Sequence, residues 1–155
     1  MKILISYFYQ IRFFEPYMIP LSTCAFDPQW FHAFTKDYSF VFKDKRNIYN
    51  GLRAEPLHIP YEIEHECGTD LCSKNPNECN FMKAYKNYIY SLNFKDIYQR
   101  CERIGNPIKD VEKFEEEPVI ILIVYETPKN PCSERIVLKQ WFKDNGYELE
   151  EYLKK

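Results

Sequence analysis

Glycine is nearly missing from this chain, with four residues in 155. That scarcity excludes a Gly-rich phosphate loop, and neither GxGxxG nor GxxxxGK[ST] occurs. Charge of one sign is lacking too: 21 Lys and Arg stand against 23 Asp and Glu, for a net charge of −2. A field strong enough to draw the chain nonspecifically to DNA or to anionic membrane is thereby excluded as its main activity. Long hydrophobic runs are absent as well. The longest, Val119–Val124, has six residues, whereas crossing a bilayer takes about 20.

Aromatic residues, by contrast, are abundant at 17%, with 13 Tyr and 12 Phe, and Pro is frequent at ten. A 45% hydrophobic content suffices for a core, and the length matches one domain of about 100–150 residues. We expect a single domain over residues 1–155 with a Cys-rich loop at about 56–79. Residues 1–9 run from charged to apolar but continue into Arg12 and Glu15 without a small-residue cleavage site. They read as the first strand of a cytoplasmic domain rather than a leader. In a reducing compartment, six cysteines point to metal, redox or packing roles before disulfides.

Residues 2–10 and 18–23 read as strands, rich in β-branched and aromatic side chains. Asp27-Pro28 predicts a helix start carrying Trp30, Phe31 and Phe34, followed by a strand at 38–42, a charged turn at 43–47 and a tight turn at Asn50-Gly51. Residues 75–78, Asn-Pro-Asn-Glu, predict another helix start, with Phe81, Tyr85, Tyr88 and Ile89 on one face. A further helix begins at Asn93, places Phe94, Ile97, Tyr98, Cys101 and Ile104 on one stripe and ends at Gly105. The continuous apolar run Val119–Val124 suits a central strand of a parallel sheet, buried on both faces. A helix with Ile136, Val137, Trp141 and Phe142 follows, closed by Gly146, and residues 147–153 form an edge strand or tail. This order predicts a three-layer α/β domain with a mostly parallel sheet.

Ligands of such sheets collect at the carboxyl ends of the strands. Residues 126–135 fall there, and Cys132 is placed in the first turn of the next helix, where orphan N–H groups favour a thiolate. Cys132 is the candidate nucleophile or metal ligand, Arg135 the candidate anion clamp, and Glu126 the candidate proton acceptor or orienting group. The same residues also suit packing and a local ion pair.

The run Ile120-Ile121-Leu122-Ile123-Val124-Tyr125-Glu126, with Pro128, Asn130-Pro131-Cys132-Ser133-Glu134-Arg135 and Trp141, resembles the C-terminal signature of family four-eight-eight of the domains of unknown function. Residues 19–23 with Asp27-Pro28 resemble that family's early strand, and residues 85–92 its helix before the last strand. The resemblance implies a small α/β domain of bacterial, archaeal or phage origin. Cys-Ser-Glu-Arg here stands where the family has Cys-His-Arg, so a histidine that would serve acid/base chemistry has no counterpart.

Cys67, Cys72 and Cys79 form C-x4-C-x6-C, with His65 two residues before the first. Three thiols within thirteen residues of an irregular loop suit zinc or an iron-sulfur cluster, with either His65 or Cys132 as fourth ligand. Cys101 and Cys24 are assigned to packing, and His32 and His58 stand isolated. Lys43, Lys45, Arg46 and Arg53, interleaved with Phe40, Phe42 and Tyr49, form a possible basic surface. The expectation is an enzyme that binds an anionic nucleotide or nucleic-acid substrate, with no membrane association. The rival is a non-catalytic, metal-stabilised interaction protein, such as a phage factor acting on a host protein. A polar strand-end pocket marks the first, and an exposed apolar patch beside a dry strand end marks the second.

Overall fold

Val119–Val124 is the spine of the fold. All six residues are apolar, five are buried, and both long edges of the strand are paired, as a β-branched run without polar alternation requires. The computed structural model describes residues 2–24, 27–34, 49–60, 75, 77–125, 129 and 131–154. Its strands are β1 (Lys2–Tyr7), β2 (Met18–Ser22), β3 (Phe31–Phe34), β4 (Tyr49–Arg53), β5 (Val119–Val124) and the short β6 (Glu150–Glu151). They form one sheet in the order β3-β4-β2-β5-β1-β6, with every pairing parallel. The expected α/β domain with its parallel sheet is therefore observed.

Three helices, α1 (Asn80–Tyr90), α2 (Phe94–Glu112) and α3 (Glu134–Asp144), bury their apolar stripes on one face. Ile3, Ile5, Ile19, Leu21, Ile120, Leu122 and Val124 meet Tyr85, Ile89, Ile97, Ile108, Leu138 and Phe142 in a single cluster there. The other face is covered differently. A 3-10 helix (Phe8–Phe13), Phe14 and Phe31 pack on Leu4, Ile121 and Ile123. Among the described residues, that thin aromatic cover is the third layer.

Several local expectations are corrected. Asp27-Pro28 opens a turn, closed by Phe31 N donating to Pro28 O, and the chain then enters strand β3. The Asp27 carboxylate is drawn to Ser22 and Arg53 instead of capping, and the register Phe31 to Tyr49 recruits the aromatic run into the sheet. Asn50-Gly51 is interior to β4 rather than a turn. A Cβ at Gly51 would lie 2.5 Å from the Pro20 carbonyl oxygen and 2.7 Å from the Phe31 ring, so glycine permits the close approach. Gly105 likewise does not end its helix. A Cβ there would meet Pro118 at 2.7 Å, and α2 continues through Pro107 to Glu112. Asn75 orders the residues before α1 through Asn77 N, but the helix starts at Asn80, with Cys79 as its N-cap. Asn93 caps α2 as expected, accepting from Asp96 N. The strand expected at 38–42 and the turn at 43–47 lie outside the described residues.

Candidate functional site

The chain leaves β2 toward β3 on one side of the sheet, and leaves β5 toward β6 on the other. Neighbouring strands whose exits diverge open a crevice at their carboxyl ends, where open α/β sheets take their ligands. Residues 22–24 leave β2 at this point, and Tyr125 leaves β5.

One side chain bridges the two exits. Glu134, the first residue of α3, is fully buried, and its Oε1 accepts from the Tyr125 backbone N–H at 3.3 Å and from the Cys24 thiol at 3.5 Å. A carboxylate here meets the positive end of the helix. Ser133 caps the same helix, accepting from Arg135 N at 3.2 Å. Thr23 closes the seam on the other side, with both its N–H and its hydroxyl donating to Ile123 O.

A polar cluster extends from this crevice toward β4. The Ser22 hydroxyl donates to Asp27 Oδ1, while Arg53 Nη2 donates to Asp27 Oδ2 and Nη1 to the Cys24 carbonyl, each at 3.4 Å. Ser22 is wholly buried, whereas the Arg53 side chain keeps 25% of its exposure. A guanidinium carries five N–H donors, so these two bonds leave three donors over on a part-exposed side chain.

The loop after β4 completes the cluster. Ile59 N donates to Thr23 O at 2.7 Å, and the Tyr85 and Tyr88 hydroxyls donate to the Leu57 and Pro56 carbonyls at 2.7 and 2.6 Å. These bonds hold His58 within the fields of Asp27, Arg53 and Glu55. Burial lowers its pKa from 6.5, Arg53 adds to that effect, and Glu55 and Asp27 oppose it. The imidazole is therefore neutral at pH 7, and its buried Nδ1 has no hydrogen-bond partner among the described residues. Behind Arg53, a cavity of about 10 Å³ between Leu21, Leu57, Ile97 and Arg100 has room for a single water.

Of the candidate site residues singled out from sequence, Cys132, Arg135 and Cys79 are described. Cys132 precedes the cap Ser133, so it lies just outside α3 rather than in its first turn, 9% exposed within the helix-side core. The Arg135 guanidinium donates to Glu151 Oε1 at 2.7 Å, and Lys139 lies 3.7 Å from the other oxygen, tying α3 to β6. Cys79 is half-buried against the helix-side core. Glu126, Cys67, Cys72 and His65 lie outside the described residues. Among the described residues, no group of three or more His, Cys, Asp or Glu is placed to hold a metal ion. Cys101 is core, as expected, with its thiol pushed up to about 12 by burial. Cys24 is packed as expected and also bonds Glu134.

Sequence reasoning assigned Asp27 to a helix start, Arg53 to a basic surface and His58 to isolation, and gave Glu134 no role of its own in the site. The available signal was positional: Ser22 and Arg53 are the polar last residues of β2 and β4, each directly after a leucine. No protein-family model matches the chain, and no curated protein or solved structure shows significant similarity to it.

Proposed function

We propose that this protein is a small enzyme that binds an anionic substrate, of the nucleotide or nucleic-acid class, at the carboxyl edge of its sheet. The observation that carries the reading is the convergence of Ser22, Asp27, Arg53 and His58 on the diverging exits of β2 and β5. Arg53, with donors to spare on a part-exposed side chain, supplies the anion contact expected of Arg135, whose guanidinium is held by Glu151. His58, neutral at pH 7, is the proton acceptor or donor, and Asp27 orients the Ser22 hydroxyl and Arg53.

Cys132, just before α3, and Glu126, which follows Tyr125 in sequence, are the remaining catalytic candidates. A zinc ion or iron-sulfur cluster on Cys67, Cys72 and Cys79, with His65 or Cys132 as fourth ligand, belongs to the same proposal as an ordering element of the loop before α1. Polar side chains at the strand exits favour this reading over a non-catalytic interaction protein, which calls for a dry strand end.

Titration with inorganic phosphate tests the reading. Arg53→Gln weakens phosphate binding by about tenfold or more, because a hydrogen bond to a charged group contributes roughly 1.5–3 kcal/mol, while Arg135→Gln leaves it unchanged. Binding that survives Arg53→Gln but is lost with Arg135→Gln would return the anion site to the start of α3 and overturn the assignment.

A further inference from the structure

Tyr125 is the first residue after the most buried strand of the protein, yet it is 63% exposed. Leaving a large ring in water at the end of such a strand forgoes burial that neighbouring positions obtain. The alternation along β5 fixes its side. Ile120, Leu122 and Val124 face the helices, while Ile121 and Ile123 face the 3-10 layer, so Tyr125 follows the latter pair. The Tyr125 ring packs edge-on against Phe8, with centroids 6.2 Å apart and an interplanar angle of 74°. The half-exposed Trp30 ring meets the same Phe8 at 6.0 Å and 86°. Phe8, itself 5% exposed, is a floor on which two rings stand nearly upright.

The polar rim lies on the same side. Leu21 and Leu52 face the helices, so by strand alternation Ser22 and Arg53 face the 3-10 layer, as does Cys24. Trp30 follows Asp27 by three residues. Arg53, at the exit of β4, is separated from Tyr125, at the exit of β5, by one strand, or about 10 Å at ~4.8 Å per strand. That separation is of the order of the distance between base and phosphate in a nucleotide.

We infer that Phe8, Trp30 and Tyr125 form the nucleobase subsite for a nucleotide whose phosphate contacts Arg53. The inference rests on the proposed anion-binding role of the strand-end rim and assigns the organic part of its substrate. Aromatic side chains hold bases through their π-faces, and Arg53 supplies the positive charge that a phosphate requires.

Adenosine 5′-monophosphate and inorganic phosphate are the probes. The chain has two tryptophans, and Trp141 is buried, so a Trp141→Phe background leaves Trp30 as the reporter. The nucleotide quenches Trp30 emission and binds at least about tenfold more tightly than phosphate, in line with the contribution of one stacked base. Tyr125→Ala removes most of that advantage without changing phosphate affinity, and Tyr125→Phe retains it. If phosphate binds through Arg53 while the nucleotide binds no more tightly, or Tyr125→Ala has no effect, the base subsite is refuted and the anion site stands. If neither probe binds, both fall together.

Discussion

The two faces of the sheet are built to different standards. On one, three helices bury aliphatic side chains from β1, β2, β4 and β5 in one continuous cluster. On the other, the described cover is a single 3-10 helix with a few aromatic rings, and the strand residues beneath it give way to Ser22, Cys24 and Arg53 at the carboxyl rim. The helix face supplies cohesion. Among the described residues, the thin face leaves Tyr125 and part of the Arg53 side chain at the surface, where a ligand can reach them, and an exposed ring that binds should be nearly neutral to stability there.

Breaking the helix face gives the largest effect. Leu122→Ala, at a fully buried position of β5, should cost about 3 kcal/mol in urea unfolding, whereas Tyr125→Ala, three residues along, should stay within about 0.5 kcal/mol. Equal losses at both positions would erase the distinction between the faces.

Glu134 sharpens the comparison, because it joins the two exits from inside. Glu134→Ala strips the Tyr125 N–H of its acceptor and removes one acceptor of the Cys24 thiol, and should cost about 1–3 kcal/mol. Glu134→Gln, which keeps an amide oxygen at the same place, should recover most of it. A glutamine variant as unstable as the alanine one would mean that the negative charge, not the acceptor, holds the exits together.

The smallest effect belongs to His58. Its folded pKa lies below 6.5, so the unfolded chain takes up the proton first as pH falls. The contribution is complete above about 6.5 and is lost as pH drops through that value toward the lower folded one. The urea midpoint should therefore fall less steeply from pH 7 to 5 in His58→Gln than in the parent chain. Parallel slopes would show that the imidazole is not shielded.

Local chemistry carried much of the architecture. The run Val119–Val124, the Asn93 and Ser133 caps and the helical stripes follow from composition and spacing, because each is decided within a few residues. What escaped was decided across the sheet. Asp27 carries a cap signature, but Ser22 and Arg53 claim its carboxylate. Gly51 and Gly105 resemble punctuation, yet they mark close approaches to Pro20 and Pro118.

The site followed the same rule. The strand-end location and the start of α3 were legible, but Cys24 lies 110 residues from Glu134 and Asp27 lies 26 residues from Arg53, and only the strand order joins them. Arg135 drew attention as a cation near a helix start, while the acidic residue that holds it, Glu151, arrives on the last strand.

Backbone amide chemical shifts recorded while adenosine 5′-monophosphate is added test the central claim most directly. The account predicts changes concentrated at residues 8, 22–24, 27, 30, 53, 58 and 125, with α1 and the body of α2 unmoved. Changes centred on Arg135 and Glu151, or spread over the helix face, would contradict it.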